Sequence, residues 1–427
     1  MDETRQALRA ALDNAWVIDP HCHLRPAKPS ADSLADIVLY HHVWIELVSS
    51  GMGQYAVTQA GLPHELADPG MPPLERVRRA LPHLPDIRNT ISGLFLRWIL
   101  RDLYGLPDLN ERNLEAAFRV VQERAADPGW QEEVLRQRCR IESSITVEDG
   151  GTPYSPALLQ GRESVPTNIV DGKRSAQQVL SEMEASLGRE IRCAADYRDL
   201  LAAFVRHLPI AQLRFVALWT LPSLAVPPAR EEEVTVVIRK AKAGQPLSPD
   251  EAGAFSTFGV CCLLDELRTT DLRTIQWMAG AEVLPPHRSI PHWSSGFTSA
   301  AGRIAGAYPD FSFNMITASD LYTQDLAILA KHIPNVSVAG YWWHTLYPHY
   351  IRKSLETRLD IVPMNKIIGY FSDAYHCEWC YPKLKMVKLV LEDILVERVE
   401  RGWYDLDLAI EVIDRLFYAN AKAIYKV

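Results

Sequence analysis

The amino-acid sequence predicts an α/β protein, a distorted (β/α)8 TIM barrel with a large helical insertion after its first strand. Eight short apolar runs alternate with stretches whose apolar residues recur every three or four positions, the alternation of strand and helix that closes a parallel barrel. The first of those runs ends in two histidines, at the place where a barrel strand presents its chemistry. A doubly wound open sheet is the alternative that the same alternation allows.

The elements follow in order. A helical period over residues 4–14 leads into the first strand, WVIDPHCHL at 16–24. Residues 30–137 then read as helix throughout: 34–48, 75–84, 89–105 and 113–125 all carry apolar residues at helical spacing, and no strand pattern interrupts them. This is the insertion. The remaining strands are predicted at 140–147, 167–170 (TNIV), 213–219, 274–280, 311–316, 336–340 and 366–372, with amphipathic helices at 176–187, 197–206 and 320–332. Residues 224–270 read as a longer loop-helix excursion. Two amphipathic helices, 386–403 and 407–427, close the outer layer. The whole chain, 1–427, is expected to form one barrel domain, a size this fold reaches as a single unit.

Composition narrows the function. The net charge of −8 and the lack of any Lys/Arg block argue against a nucleic-acid or anionic-membrane partner. No apolar stretch approaches the length of a membrane span, and the charged N-terminus lacks a signal core. Seven dispersed cysteines suit a reducing compartment rather than a disulfide framework. The expectation is a cytoplasmic enzyme acting on a small molecule, its oligomeric state left open.

The chemistry starts at Asp19-Pro20-His21-Cys22-His23. Residues two apart on a strand point the same way, so His21 and His23 present two imidazoles to one side, half of a metal site. Two histidines in a loop is the plainer reading. Asp373 ends the predicted eighth strand, next to the first in a closed barrel. A carboxylate there can complete the site and move a proton, and the same position also suits a helix N-cap. The Cys377–Cys380 pair has no second ligand pair nearby and is not read as a zinc or redox site.

On these residues the chain resembles the uronate (glucuronate) isomerase family of the amidohydrolase superfamily, as a divergent member. The resemblance rests on His21-Cys22-His23-Leu24, on His41-His42-Val43-Trp44 with Gly51, and on Gly340-Tyr341-Trp342-Trp343. It rests also on Gly369-Tyr370-Phe371-Ser372-Asp373 and Asn420-Ala421. It implies a metal-dependent aldose–ketose isomerisation of a sugar acid or related polyhydroxylated substrate. One divalent ion, zinc first with manganese, iron and cobalt also suited, would be held by His21, His23 and Asp373. Asp373, His42 and His41 are the candidate catalytic groups.

The uronate-binding positions of that family are altered. Its insertion tyrosine is His42 here, and its arginine after the strand-eight aspartate is Tyr375. Its strand-three arginine aligns with Val170, its strand-four Asp-His-Gly with Leu218-Trp219-Thr220, and its strand-five histidine with Met278. A different substrate on the same scaffold is implied. Arg25, Trp342, Trp343, Tyr375, His344 and Arg288 are the candidate substrate contacts; Asp320, His292, His349 and His376 lie in the same predicted loops. A mononuclear hydrolase or lyase of the superfamily is the competing reading.

Overall fold

The computed structural model describes residues 2–57, 70–163, 165–170, 174–219, 229–284 and 288–427. Thr220, Lys173, the first residues of the 224–270 excursion and the Arg288 side chain lie outside the described residues. The fold is mixed α/β. Its strands are β1 (Val17–Cys22), β2 (Ile141–Thr146), β3 (Leu158–Arg162), β4 (Leu213–Trp219), β5 (Thr274–Ala279), β6 (Ala281–Leu284), β7 (Arg288–Pro291), β8 (Ser312–Thr317), β9 (Val336–Ala339) and β10 (Ile367–Ile368). Eight of them form one sheet in the order β1-β2-β3-β4-β5-β8-β9-β10, while β6 and β7 pair separately. The pairs β1–β2, β3–β4, β4–β5, β5–β8, β8–β9 and β9–β10 are parallel, the arrangement that strand-helix-strand connections enforce.

Seven predicted strands fall where expected, β4 residue for residue. The third does not. Thr167–Val170 forms no strand, and the third strand is Leu158–Arg162, nine residues earlier. Ile169 is fully buried, but among helices, alongside Tyr197, Val237 and Phe255; its side chain found a core without a ladder. The run LLQGR carries a glycine, which weakens a strand interior and blurs its local signal. Gly161 is there for space: a Cβ on it would lie 2.3 Å from the Phe215 ring of β4. Val170 therefore does not lie on the third strand, which ends at Arg162. The Arg162 guanidinium sits 5.9 Å from the ring of Phe204. The segment after β5, expected as loop, holds the β6–β7 pair instead.

The chain divides into two compact units. The first comprises Met1–Leu158, Pro286–Arg288 and Phe371–Val396. Between β1 and β2 its described residues are helices and turns: α1 (Asp2–Asn14) precedes β1, and α2 (Leu34–Val38), α3 (His41–Ser49), α4 (Pro73–Ala80), α5 (Ile91–Trp98) and α6 (Leu114–Ala126) follow. Ser33 and Asp36 form a reciprocal cap on α2. Most of α14 (Cys377–Glu400) lies in this unit, and it starts nine residues before the predicted helix because the Cys377–Cys380 run is its first turn. Glu378 of that turn is fully buried, and its carboxylate accepts bonds from Tyr104 Oη (3.0 Å), Trp130 Nε1 (2.9 Å) and the Ala31 amide (3.1 Å). One carboxylate thereby ties three parts of the helical region to α14.

The second unit comprises Leu159–Pro285, Ser289–Tyr370 and Glu397–Val427. Its helices are α7 (Ala176–Leu187), α8 (Ala194–His207), α9 (Glu231–Lys242), α10 (Pro249–Leu267), α11 (Phe297–Ala307), α12 (Thr323–His332), α13 (Pro348–Ile361), α15 (Leu406–Asp414) and α16 (Asn420–Tyr425). A buried polar chain crosses its sheet. Gln276 of β5 and Asn314 of β8 are register partners, and so are Asn314 and Ser337 of β9. Tyr425 Oη accepts from Gln276 Nε2 (2.8 Å) and donates to Asn314 Oδ1 (2.7 Å), and Asn314 Nδ2 donates to Ser337 Oγ (2.8 Å). Every member is satisfied, which makes such a chain a specifier of register rather than a liability. Asn420, singled out in the sequence, donates to the carbonyls of Met364 and Ile367 and so anchors α16 beside β10.

Candidate metal centre

β1 brings His21 and His23 to its C-terminal end, as the two-residue spacing predicts, with ring centroids 5.4 Å apart. The segment carrying Asp373 runs beside them. The Asp373 amide donates to the His21 carbonyl (3.0 Å) and the His23 amide to the Ala374 carbonyl (2.9 Å). The Ser372 amide donates to Asp19 Oδ1 (2.8 Å). Backbone pairing therefore joins the predicted eighth strand's end to the first strand. Burial pushes the Asp19 carboxyl up to about 6, against the bonds from Ser372 that favour its charged form.

Asp373 Oδ1 lies 3.5 Å from His21 Nε2 and 3.5 Å from His23 Nε2. That is long for a hydrogen bond to a carboxylate, which closes to about 2.7–2.9 Å. It matches two ligands on one ion: donors about 2.1 Å from a metal at a tetrahedral angle stand about 3.4 Å apart. The donor set of two imidazole nitrogens and one carboxylate oxygen, with His21 and Asp373 buried and His23 half-buried, suits a divalent transition ion. The residues present fit the group.

Asp373 has a left-handed backbone, φ +49°, a conformation costing a non-glycine residue about 1–2 kcal/mol. Its carbonyl accepts from Tyr40 Oη (3.2 Å) and from Lys383 Nζ (3.2 Å), and Lys383 also donates to the Ser372 carbonyl (2.6 Å). Burial alone would raise the Asp373 carboxyl. The adjacent His21 and His23 and the charge of Lys383 outweigh that and hold it well below the usual carboxylate range.

Tyr375 stacks on His23, centroids 4.5 Å apart at 14°. His41 meets the Tyr375 ring edge-on at 5.5 Å and packs against His42 at 4.1 Å. Both histidines open α3, His41 buried and His42 half-buried. So His21, His23, Asp373, Tyr375 and His41 form one continuous cluster, with His42 at its margin. Arg25 is elsewhere engaged: it is exposed, ion-paired to Asp32 at 2.8 Å and bonded to the Ser30 carbonyl.

Arg288 and the buried His376 belong to the first unit, whereas Trp342, Trp343, His344, Asp320, His292 and His349 belong to the second. Trp342 is buried and Trp343, at φ +45°, half-buried. Both rings stand nearly perpendicular to Trp219, at 5.9 and 5.8 Å, and Trp219 keeps 38% of its surface exposed at the end of β4. His344 Nε2 is 3.2 Å from Ser289 Oγ, and burial holds its imidazole below the usual value. Asp320 is taken up by Lys353, and His292 by Glu282.

Glu148, Tyr40 and Lys383 escaped the sequence reading. Glu148 follows the end of β2, and that position was the available signal. Lys383 gave none, since a lysine in an amphipathic helix ordinarily reads as solvated.

No family model matches the chain, and no curated protein matches it by sequence. Solved structures do match. Glucuronate isomerase from Caulobacter crescentus superposes with a TM-score of 0.82 at 18% identity, over 99% of this chain and 94% of that one. The fold is that of the uronate isomerases. Uronate isomerases from Thermotoga maritima (TM-score 0.78, 15% identity, 99% and 97% covered) and Bacillus halodurans (0.72, 15%, 100% and 96%) repeat the match. A Lactobacillus casei chain assigned provisionally to the metal-dependent hydrolases superposes at 0.62 with 12% identity, over 98% of this chain and 97% of that one. The sequence-based resemblance and the fold thus agree. At such identities the uronate isomerase fold is shared while side chains are free to differ, which matches a divergent member. No helix among the described residues is long and apolar enough to cross a membrane.

Proposed function

We propose that this chain is a metal-dependent isomerase of a sugar acid or related polyhydroxylated substrate, built on a closed, distorted (β/α)8 barrel with residues 30–137 inserted after strand one. The observation that carries the reading is the 3.5 Å spacing of Asp373 Oδ1 from both imidazoles in a chain of uronate isomerase fold. His21, His23 and Asp373 would hold one divalent ion, zinc first. When bound, such an ion polarises substrate hydroxyl and carbonyl oxygens and eases proton loss beside them.

The chain's own groups supply the rest. Asp373, whose lowered carboxyl favours the charged form, is a proposed proton-transfer group as well as a ligand. His41 and His42 are the neutral-pH acid–base candidates for moving a proton between C1 and C2. The flat face of Tyr375, already stacked on His23, is placed to border a sugar ring. An arginine that grips a carboxylate as a bidentate fork is replaced at Tyr375. The substrate's anchoring therefore differs from that of a hexuronate. Trp342, Trp343, His344 and Arg288 remain the proposed substrate contacts, and Arg25, already paired with Asp32, is the weakest of the set.

A mononuclear hydrolase is the second reading, favoured by the Lactobacillus casei neighbour alone. One experiment separates the two. Purified protein loaded with zinc or manganese is incubated in D2O with uronates, aldonates and neutral aldoses and followed by NMR. Deuterium at C1 or C2 that disappears in His21→Ala supports isomerisation. No exchange across the panel, with metal-dependent release of a hydrolysis product instead, would overturn it.

A further inference from the structure

His23 is held from two directions. Tyr375 covers its face, and at its edge Nδ1 lies 2.8 Å from Glu148 Oε1. Glu148 sits just beyond β2, the strand that pairs directly with β1. Its backbone is fixed as well: the Glu148 amide donates to Thr146 Oγ1 (3.1 Å), and Thr146 Oγ1 donates to the Leu24 carbonyl (2.8 Å). The Val147 amide donates to the Cys22 carbonyl (3.0 Å). The carboxylate is thus tied through two bonds to the residues on either side of His23.

A carboxylate can only accept, so the shared proton belongs to Nδ1 of the imidazole. That leaves the lone pair of the neutral ring on Nε2, the atom that faces Asp373 at 3.5 Å. Glu148 Oε1 lies closer to Nδ1 (2.8 Å) than Asp373 Oδ1 does to Nε2 (3.5 Å). The tautomer a metal needs is therefore set from outside the metal's own ligands.

We propose that Glu148 is a positioning residue of the metal centre: it fixes the tautomer and ring orientation of His23 and thereby sets the affinity for the ion. This rests on the metal reading above and adds a residue to it. The side chain is partly exposed, 40%, so it can be replaced without opening the core.

The test uses the full-length protein stripped of metal and titrated with Zn2+ alone against a chelator. Alongside it, 15N-detected imidazole NMR of the metal-free protein reads which nitrogen of His23 carries the proton. Glu148→Ala is expected to weaken Zn2+ binding by about 10- to 100-fold and to mix the His23 tautomers. Glu148→Gln, whose amide oxygen still accepts from Nδ1, is expected to stay within a few-fold of the natural protein. Unchanged affinity in Glu148→Ala overturns the proposal, as does a Gln variant that loses as much as the Ala variant. Natural protein that binds no more Zn2+ than His21→Ala sinks the metal reading itself, a separate result.

Discussion

Lys383 Nζ reaches over from α14 to donate to the carbonyls of Ser372 and Asp373, at 2.6 and 3.2 Å, and lies 5.4 Å from the Tyr40 ring centroid. A buried lysine thus pins the left-handed turn from which Asp373 projects. Lys383→Met keeps the length and removes the donor. Tyr40 continues to serve the Asp373 carbonyl, so the loss centres on Ser372. An unsatisfied buried carbonyl costs about 1–3 kcal/mol, and that decrease is expected in urea denaturation of the metal-free protein. Stability equal to the natural protein would show that relief of the buried charge cancels the lost bonds.

Glu378 offers a sharper stability test. Truncation to alanine strands the Tyr104 hydroxyl, the Trp130 indole N–H and the Ala31 amide together, in a site with no exposure. At about 1–3 kcal/mol for each unsatisfied donor, Glu378→Ala is expected to lose at least about 3 kcal/mol, read by calorimetry or denaturant midpoint. Glu378→Gln keeps an acceptor oxygen and is expected to lose less than half as much. Equal losses would show that the charge, rather than the bonds, matters.

Asp102 sets an acid limit. Burial opposes its ionisation, but Arg101, Lys385 and Tyr381 all bond to its carboxylate, and the balance lowers it from 3.8 to about 2. A depressed carboxyl contributes stability that is complete above its unfolded value and disappears as pH falls through its folded value. The contribution should be whole above about pH 4–5 and fade toward pH 2. Asp102→Asn is expected to be less stable than the natural protein at pH 7 and to approach it at pH 2. A gap that stays constant between those pH values would refute the assignment.

Gly161 is predicted to tolerate no side chain. Alanine there would place Cβ 2.3 Å from the Phe215 ring, and overpacking of this kind costs about 1–3 kcal/mol. Gly161→Ala is expected to lower the melting temperature, and the double variant with Phe215→Leu to recover part of the loss. No recovery would mean that strand geometry, not the ring, demands glycine.

The contrast between β4 and β3 shows what was readable. LRFVALW carries its strand signal within seven residues, and Leu213–Trp219 is the strand found. LLQGR carries a glycine whose reason is an aromatic ring on the next strand, 54 positions away, so no local pattern exposes it. The site divides in the same way. His21 and His23 were legible because their spacing on a strand is itself the geometry. Asp373 was legible because it ends an apolar run. Glu148 is 125 residues from the imidazole it touches, and Lys383 reaches back along the chain to the Ser372 and Asp373 carbonyls, outside its own helix.

By itself, the sequence determined the alternation of strand and helix, the placement of two imidazoles on one side of β1, and the aspartate that ends the eighth run. Those follow from backbone periodicity, which is local. Only the tertiary structure decided which run became β3, the left-handed turn at Asp373, and which buried donors and acceptors brace His23 and Asp373. Hydrogen-bond satisfaction and close packing act between segments remote in sequence, so they are settled only when the chain has folded.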